Sequence, residues 1–187
     1  IHTSLQGVSR TQILASAQKN VLMRILKGET IPDISGEIDS ILKEQNFLWE
    51  NTEQRLENEK KYELRIQRFL ESEQSVHKIF PDGLDTTVDY FGEQIEAKPD
   101  YFIEEPNGNV RVCKVTTSAF MNEKDDLDRM EMYALGLCGK KLFPGRNIFV
   151  TRYHLRPRSI GEKEAYRRNT DGTFVNAYDS GYSMSNK

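Results

Sequence analysis

A chain of 187 residues, 37% apolar and 29% charged with a net charge of −3, is long enough for one well-buried domain plus an appendage and too short for two full-sized cores. No stretch approaches the roughly 20 consecutive apolar residues of a membrane-spanning helix, so no membrane partner is expected. Cys113 and Cys138 lack paired spacing and the histidines are scattered, which argues against zinc or iron–sulfur sites and predicts buried, inert thiols in a reducing compartment, the cytoplasm.

In chain order, Ile13, Leu14, Ala17, Val21, Leu22, Ile25 and Leu26 fall at helical spacing and predict an amphipathic helix over 10–27, with Gly28 just past its end. A second, short helix is expected over 35–44, with Pro32 and Gly36 punctuating the connection. The aromatic cluster Phe47, Leu48 and Trp49 follows an N-terminal helical appendage, residues 1–48, and is expected to dock it on the body of the protein, residues 49–187. Asn51 with Gln54 has the form of a capping box and opens a charged helix to about residue 73, with Leu56, Leu64, Ile66, Phe69 and Leu70 as its apolar stripe.

The period then changes to two. Strands are expected over 76–80, 86–91, 94–105 and 109–117, separated by Gly83, Gly92 and the turn Pro106-Asn107-Gly108-Asn109, as an antiparallel meander. Helical spacing returns over 122–138, where Asn122 offers an N-cap and Gly139 is expected to end the helix; a further strand follows over 147–155. Beyond Arg156 the signals thin to turns and a short edge strand over 173–178. The sum is an α+β (mixed α/β) chain, a sheet flanked by helices.

Period two puts Val110, Val112, Lys114 and Thr116 on one face of their strand. A lysine beside apolar neighbours needs a carboxylate or an open cleft, because an unpaired buried ammonium costs several kcal/mol. Asp100, across the 106–109 turn, is the nearest acid in sequence. Glu96 shares a strand face with Asp100, and Glu131 lies on the opposite edge of the following helix's apolar stripe from Arg129 and Tyr133. The stretch 140–168 carries bases from Lys140 to Arg168 against only Glu162 and Glu164, which describes either a phosphate-attracting end or a solvated, arginine-rich surface.

On these residues the chain resembles the PD-(D/E)XK nuclease superfamily, closest to its RecB-like branch. Pro99-Asp100 match the first motif, Val112-Cys113-Lys114 stand at acid-any-lysine, and Arg129-Met130-Glu131-Met132-Tyr133 stand at a Gln-x-x-x-Tyr element, in an αβββαβ order from Asn51 to Leu155. The resemblance implies a restriction-endonuclease-like core with a basic C-terminal extension, and a Mg²⁺- or Mn²⁺-dependent nuclease, a hydrolase of DNA phosphodiesters, working in DNA repair with a helicase or other protein partner. It implies Asp100, Lys114 and Tyr133 as catalytic residues, Asp100, Glu96 and His77 as metal ligands, and Arg129, Arg152, Arg156 and Arg158 as nucleic-acid contacts. Glu59, Glu63, Glu71 and His77 stand where RecB-like enzymes often place a further His or Glu ligand, although a solvated charge is the preferred reading of each. Val112 departs from the pattern where the second acid belongs, and Arg129 where the glutamine belongs. Either the acid has moved, or the fold serves as an inactive module binding nucleic acid or protein; an unrelated scaffold in which Asp100 and Lys114 form a structural ion pair is the third alternative.

Overall fold

The structure, a computed structural model, describes residues 9–73, 77–116, 126–154, 166–168, 174–176 and 179–184. By compactness the chain divides into two units, 1–70 and 71–187. The expected boundary after residue 48 grouped the third helix with the sheet, whereas this division groups that helix, up to Leu70, with the two helices before it.

The first unit is helical. Helix α1, Arg10–Leu26, is opened by Ser9, whose Oγ accepts from the Gln12 N–H while Gln12 Oε1 accepts from the Ser9 N–H. This capping box satisfies two N–H groups that helix geometry leaves orphaned. Its buried face is Ala17, Gln18, Val21 and Leu22. The helix closes through Gly28, which at φ +100° takes a conformation natural only to glycine, so that the Glu29 N–H can reach back to the Arg24 carbonyl at 3.0 Å. Helix α2, Ile34–Glu44, is capped by Asp33 and buries Ile34, Ile38, Asp39 and Leu42. The buried Asp39 carboxylate is met by Lys43 at 3.0 Å, Arg55 at 3.2 Å and the Trp49 indole N–H at 3.4 Å.

Helix α3, Thr52–Glu73, is capped by Asn51, whose Oδ1 accepts from the Gln54 N–H at 2.8 Å. The return bond of the expected box goes to Glu50 instead: Gln54 Oε1 accepts from the Glu50 N–H at 3.3 Å. The apolar stripe also differs from expectation. Leu56 and Leu64 are exposed, and Tyr62, Ile66 and Phe69 are buried, because their spacing keeps them on one line along the helix.

In the second unit, strands β1, Thr87–Tyr90, and β2, Glu93–Glu96, form a hairpin of their own. Its two-residue turn, Phe91-Gly92, has φ of +50° and +88°, the pairing that matches the twist of flanking strands. The main sheet has the order β3-β4-β5-β8. Strand β3, Tyr101–Glu104, runs antiparallel to β4, Val110–Thr116, and β4 runs parallel to β5, Ile148–His154, across helix α4, Asp126–Leu142. Strands β6, Tyr166–Arg168, and β7, Phe174–Asn176, pair separately, while β8, Asp179–Met184, returns antiparallel to β5. Among the described residues no helix is long and apolar enough to cross a membrane.

The expected meander is therefore corrected. The 94–105 strand breaks at residues 97–100 because Pro99 has no N–H to give a ladder. The 76–80 strand reduces, within the described residues, to a single bridge between Ile79 and Phe102, cut short by a turn from Pro81 to Leu84. Val76, Thr117, 122–125 and Leu155 lie outside the described residues. Helix α4 does not stop at Gly139. A Cβ there would come within 2.7 Å of both Val112 Cγ2 and Ile148 Cγ2, so the glycine sits inside the helix as the point where α4 touches the sheet. Chain reversal follows at Gly145, φ +78°. The core under α4 contains Val88, Phe102, Val110, Val112, Leu135, Cys138, Ile148 and Val150.

Candidate active site around Lys114

Strand β4 carries Val110, Val112 and Lys114 on its α4-facing side. Val112 is 0% exposed, inside the core. One period further along, Lys114 lines a pocket of about 280 Å³ with Glu96 and Lys98 from the end of β2 and its exit, and Met130, Glu131 and Leu135 from α4. The ammonium donates to the Lys98 carbonyl at 2.6 Å. That carbonyl is available because Pro99 interrupts the strand beside it. In the parallel register Lys114 stands opposite Arg152 of β5, and Arg152, 8% exposed, continues the face of Ile148 and Val150. Two cations thus occupy the C-terminal ends of the parallel pair, the side of an α/β sheet on which ligand crevices form.

Asp100 lies one residue before Tyr101, whose pairing with Cys113 ends the β3–β4 register. Its N–H donates to the Cys113 carbonyl at 2.9 Å, and its Oδ2 accepts from the Val115 N–H at 2.6 Å. The carboxylate takes a ladder donor that the end of β3 leaves unmatched, and the pocket lining does not include it. Of the two candidate edges of α4, the pocket receives that of Glu131. Tyr133 packs instead on the hairpin, with its ring centroid 5.8 Å from Tyr90 and 6.2 Å from Phe91. Arg129 is exposed on α4 and His77 is exposed ahead of the Ile79 bridge. Arg156 and Arg158 lie outside the described residues.

The helix acids have local partners. Glu59 pairs with Arg55 at 2.7 Å, and Glu63 accepts from Ser35 Oγ at 2.9 Å. Both cysteines are buried thiols outside any disulfide, and burial pushes the Cys138 thiol up to about 11, against a smaller opposing pull from Lys141; such a thiol is a poor nucleophile at neutral pH. The residues that sequence reasoning missed are Lys98, whose contribution is a main-chain carbonyl, and the apolar wall of Met130, Ala134 and Leu135. Helical spacing puts Met130 and Ala134 on one apolar face with Leu127 and Leu137, which reads as core, and leaves Leu135 off it.

Mg²⁺ prefers hard oxygen ligands and commonly uses one or two carboxylates, filling its other positions with water and phosphate. Glu96 and Glu131 fit that need in kind. Among the described residues no group of three or more His, Cys, Asp or Glu side chains is placed to hold a metal ion.

Compared with family models, with curated proteins and with solved structures, the chain has no match in any of the three.

Proposed function

We propose that residues 71–187 form a nuclease-type domain acting on DNA phosphodiesters, centred on the Lys114 pocket. The observation that carries this reading is the gathering of Lys114, Glu96 and Glu131 around one cavity at the C-terminal end of β4. A pocket built only to bind phosphate has no use for two carboxylates, which repel it; a pocket that recruits a cation to meet the phosphate does. On this reading the second acid has moved from strand position 112 to the end of β2 and to α4. Mg²⁺ or Mn²⁺, held by Glu96 and Glu131, would supply Lewis-acid polarisation of the phosphate. Lys114, oriented by the Lys98 carbonyl, donates to a non-bridging phosphate oxygen, and Arg152 on the adjacent strand raises the positive potential behind it. Met130, Ala134 and Leu135 restrict water on the α4 side. Asp100 holds the end of β4 in register, which fixes where Lys114 points.

The test is Mg²⁺-dependent cleavage of linear DNA by the whole chain. Lys114→Ala and Glu131→Gln are each expected to reduce it by about 100-fold or more; cleavage that survives both substitutions ends this reading. A second reading, a nuclease-like fold that binds nucleic acid without cutting it, is favoured by the complete burial of Val112 and by the engagement of Asp100 Oδ2 with the Val115 N–H. It predicts salt-sensitive DNA binding, unaffected by Glu131→Gln, with no cleavage in any divalent cation.

A further inference from the structure

The tip of the β1–β2 hairpin carries a second feature that the pocket chemistry does not use. Phe91 occupies the first position of the two-residue turn at φ +50°, a left-handed conformation that asparagine, aspartate or glycine adopts at much lower strain than a bulky aromatic. It is 84% exposed. A bulky side chain that is conformationally disfavoured and largely turned out to water is held there against its backbone preference, and such positions concentrate where a ligand is gripped.

The ring is not loose. It lies nearly parallel to Tyr133 of α4, with an interplanar angle of 15° and centroids 6.2 Å apart, and Tyr90 meets it edge-on at 4.8 Å and 89°. Two fixed tyrosines therefore brace one exposed aromatic face. The exposed Arg129 precedes Tyr133 by one helical turn on α4, on the same side of the helix. The next residues of that helix, Met130, Glu131 and Ala134, line the Lys114 pocket, so a strand leaving the pocket along α4 meets the hairpin tip.

We propose that Phe91, braced by Tyr90 and Tyr133, is a stacking platform for an unpaired nucleobase, and that the nucleic acid taken by this domain is single-stranded where it crosses the hairpin. A planar aromatic face next to a guanidinium is the pairing that single-strand binders use, since every base has a π-face and every nucleotide brings a phosphate. A duplex keeps its bases stacked on one another and has no free face to offer. The proposal rests on the nucleic-acid reading of the Lys114 pocket and adds the strandedness of its ligand.

The experiment measures fluorescence anisotropy of the whole chain, in Ca²⁺ to suppress cleavage, against three labelled ligands: an oligothymidine, an abasic oligomer of equal length, and a duplex. The wild type is expected to prefer the oligothymidine over the abasic strand by about tenfold. Phe91→Ala should erase that preference and leave abasic and duplex affinities unchanged, and Phe91→Trp should retain it. Phe91→Gly, which relieves the backbone conformation, should raise the melting temperature while losing the preference, so that lost binding cannot be ascribed to unfolding. Equal binding of based and abasic strands by the wild type, with duplex still bound, overturns the platform and leaves the pocket reading standing. No binding of any of the three overturns both. A Phe91-dependent self-association seen by sedimentation, without base preference, assigns the tip to a protein contact and also overturns the proposal.

Discussion

Val112 and Lys114 occupy the same side of β4, one period apart, yet meet different solvents. Around Val112 the sheet and α4 touch so closely that residue 139 has no room for a side chain. Around Lys114 the same two elements part, and the gap is lined by carboxylates and a carbonyl. The apolar end decides how far apart helix and sheet stand, and the polar end inherits that separation as a pocket. A site of this kind is held open by the packing next to it, so substitutions at the two ends should have opposite signatures: stability without chemistry at one, chemistry without stability at the other.

Val112→Asp should have the largest effect. An acid at position 112 puts a carboxylate where exposure is zero, and the expected loss is about 4 kcal/mol of unfolding free energy; a urea midpoint equal to wild type, or any gain of cleavage, would break the comparison. Gly139→Ala should follow at about 2 kcal/mol, since the new methyl meets Val112 and Ile148 at 2.7 Å, and Val112→Ala in the same chain should recover part of it. Asp100→Ala should lose about 1–2 kcal/mol with the bond to the Val115 N–H. Hydrogen exchange should then quicken at Val115 before it does so at Val110.

Lys114→Met sharpens the contrast from the other side, with stability within about 1 kcal/mol of wild type and loss of cleavage or binding. The smallest effect concerns pH. The Lys141 ammonium, with help from the Thr87 N–H, holds the exposed Asp85 carboxyl down to about 2. A carboxyl depressed in the folded state contributes stability above its ordinary value, near 4, and loses that contribution as pH falls toward about 2. Carboxyl NMR should place the Asp85 midpoint near 2 in the wild type and nearer 4 in Lys141→Met; an unmoved midpoint would assign the depression to the main chain.

Much of the local structure is legible in the sequence. Helix α1 follows from apolar spacing and the glycine past its end, α2 from the breaks around Pro32 and Gly36, and the β3–β4 hairpin from Pro106 to Asn109 between alternating strands. What is not legible depends on partners distant in sequence. Gly139 carries the same letter whether it ends a helix or lets one approach a sheet, and only the arrival of Ile148 distinguishes the two uses. Strand β8, with Ser180 and Gly181 inside it, has weak intrinsic preference and exists because β5 offers an unpaired edge. Helical geometry restricts the pocket to one of two edges of α4, and the fold supplies Glu131 rather than Tyr133. The turning of Asp100 toward Val115 could not be read, because it depends on Pro99 ending a ladder that alternation alone would have continued.

Strand β5 has a consequence for the order of events in time. It is the parallel neighbour of β4, yet Val110 and its partner Ile148 are 38 positions apart (148 − 110), and β8 can add to the sheet only after β5 is in place. Contacts that close long loops form late. The first unit, whose helices are capped by their own neighbours, can be made and folded while the ribosome is still far from residue 148. Lys114 is synthesised early and waits: until Ile148–His154 emerges and pairs, neither the separation of α4 from the sheet nor the partnership with Arg152 exists. A chain arrested before that strand carries every residue that lines the candidate pocket and lacks the strand that α4 and β4 pack with.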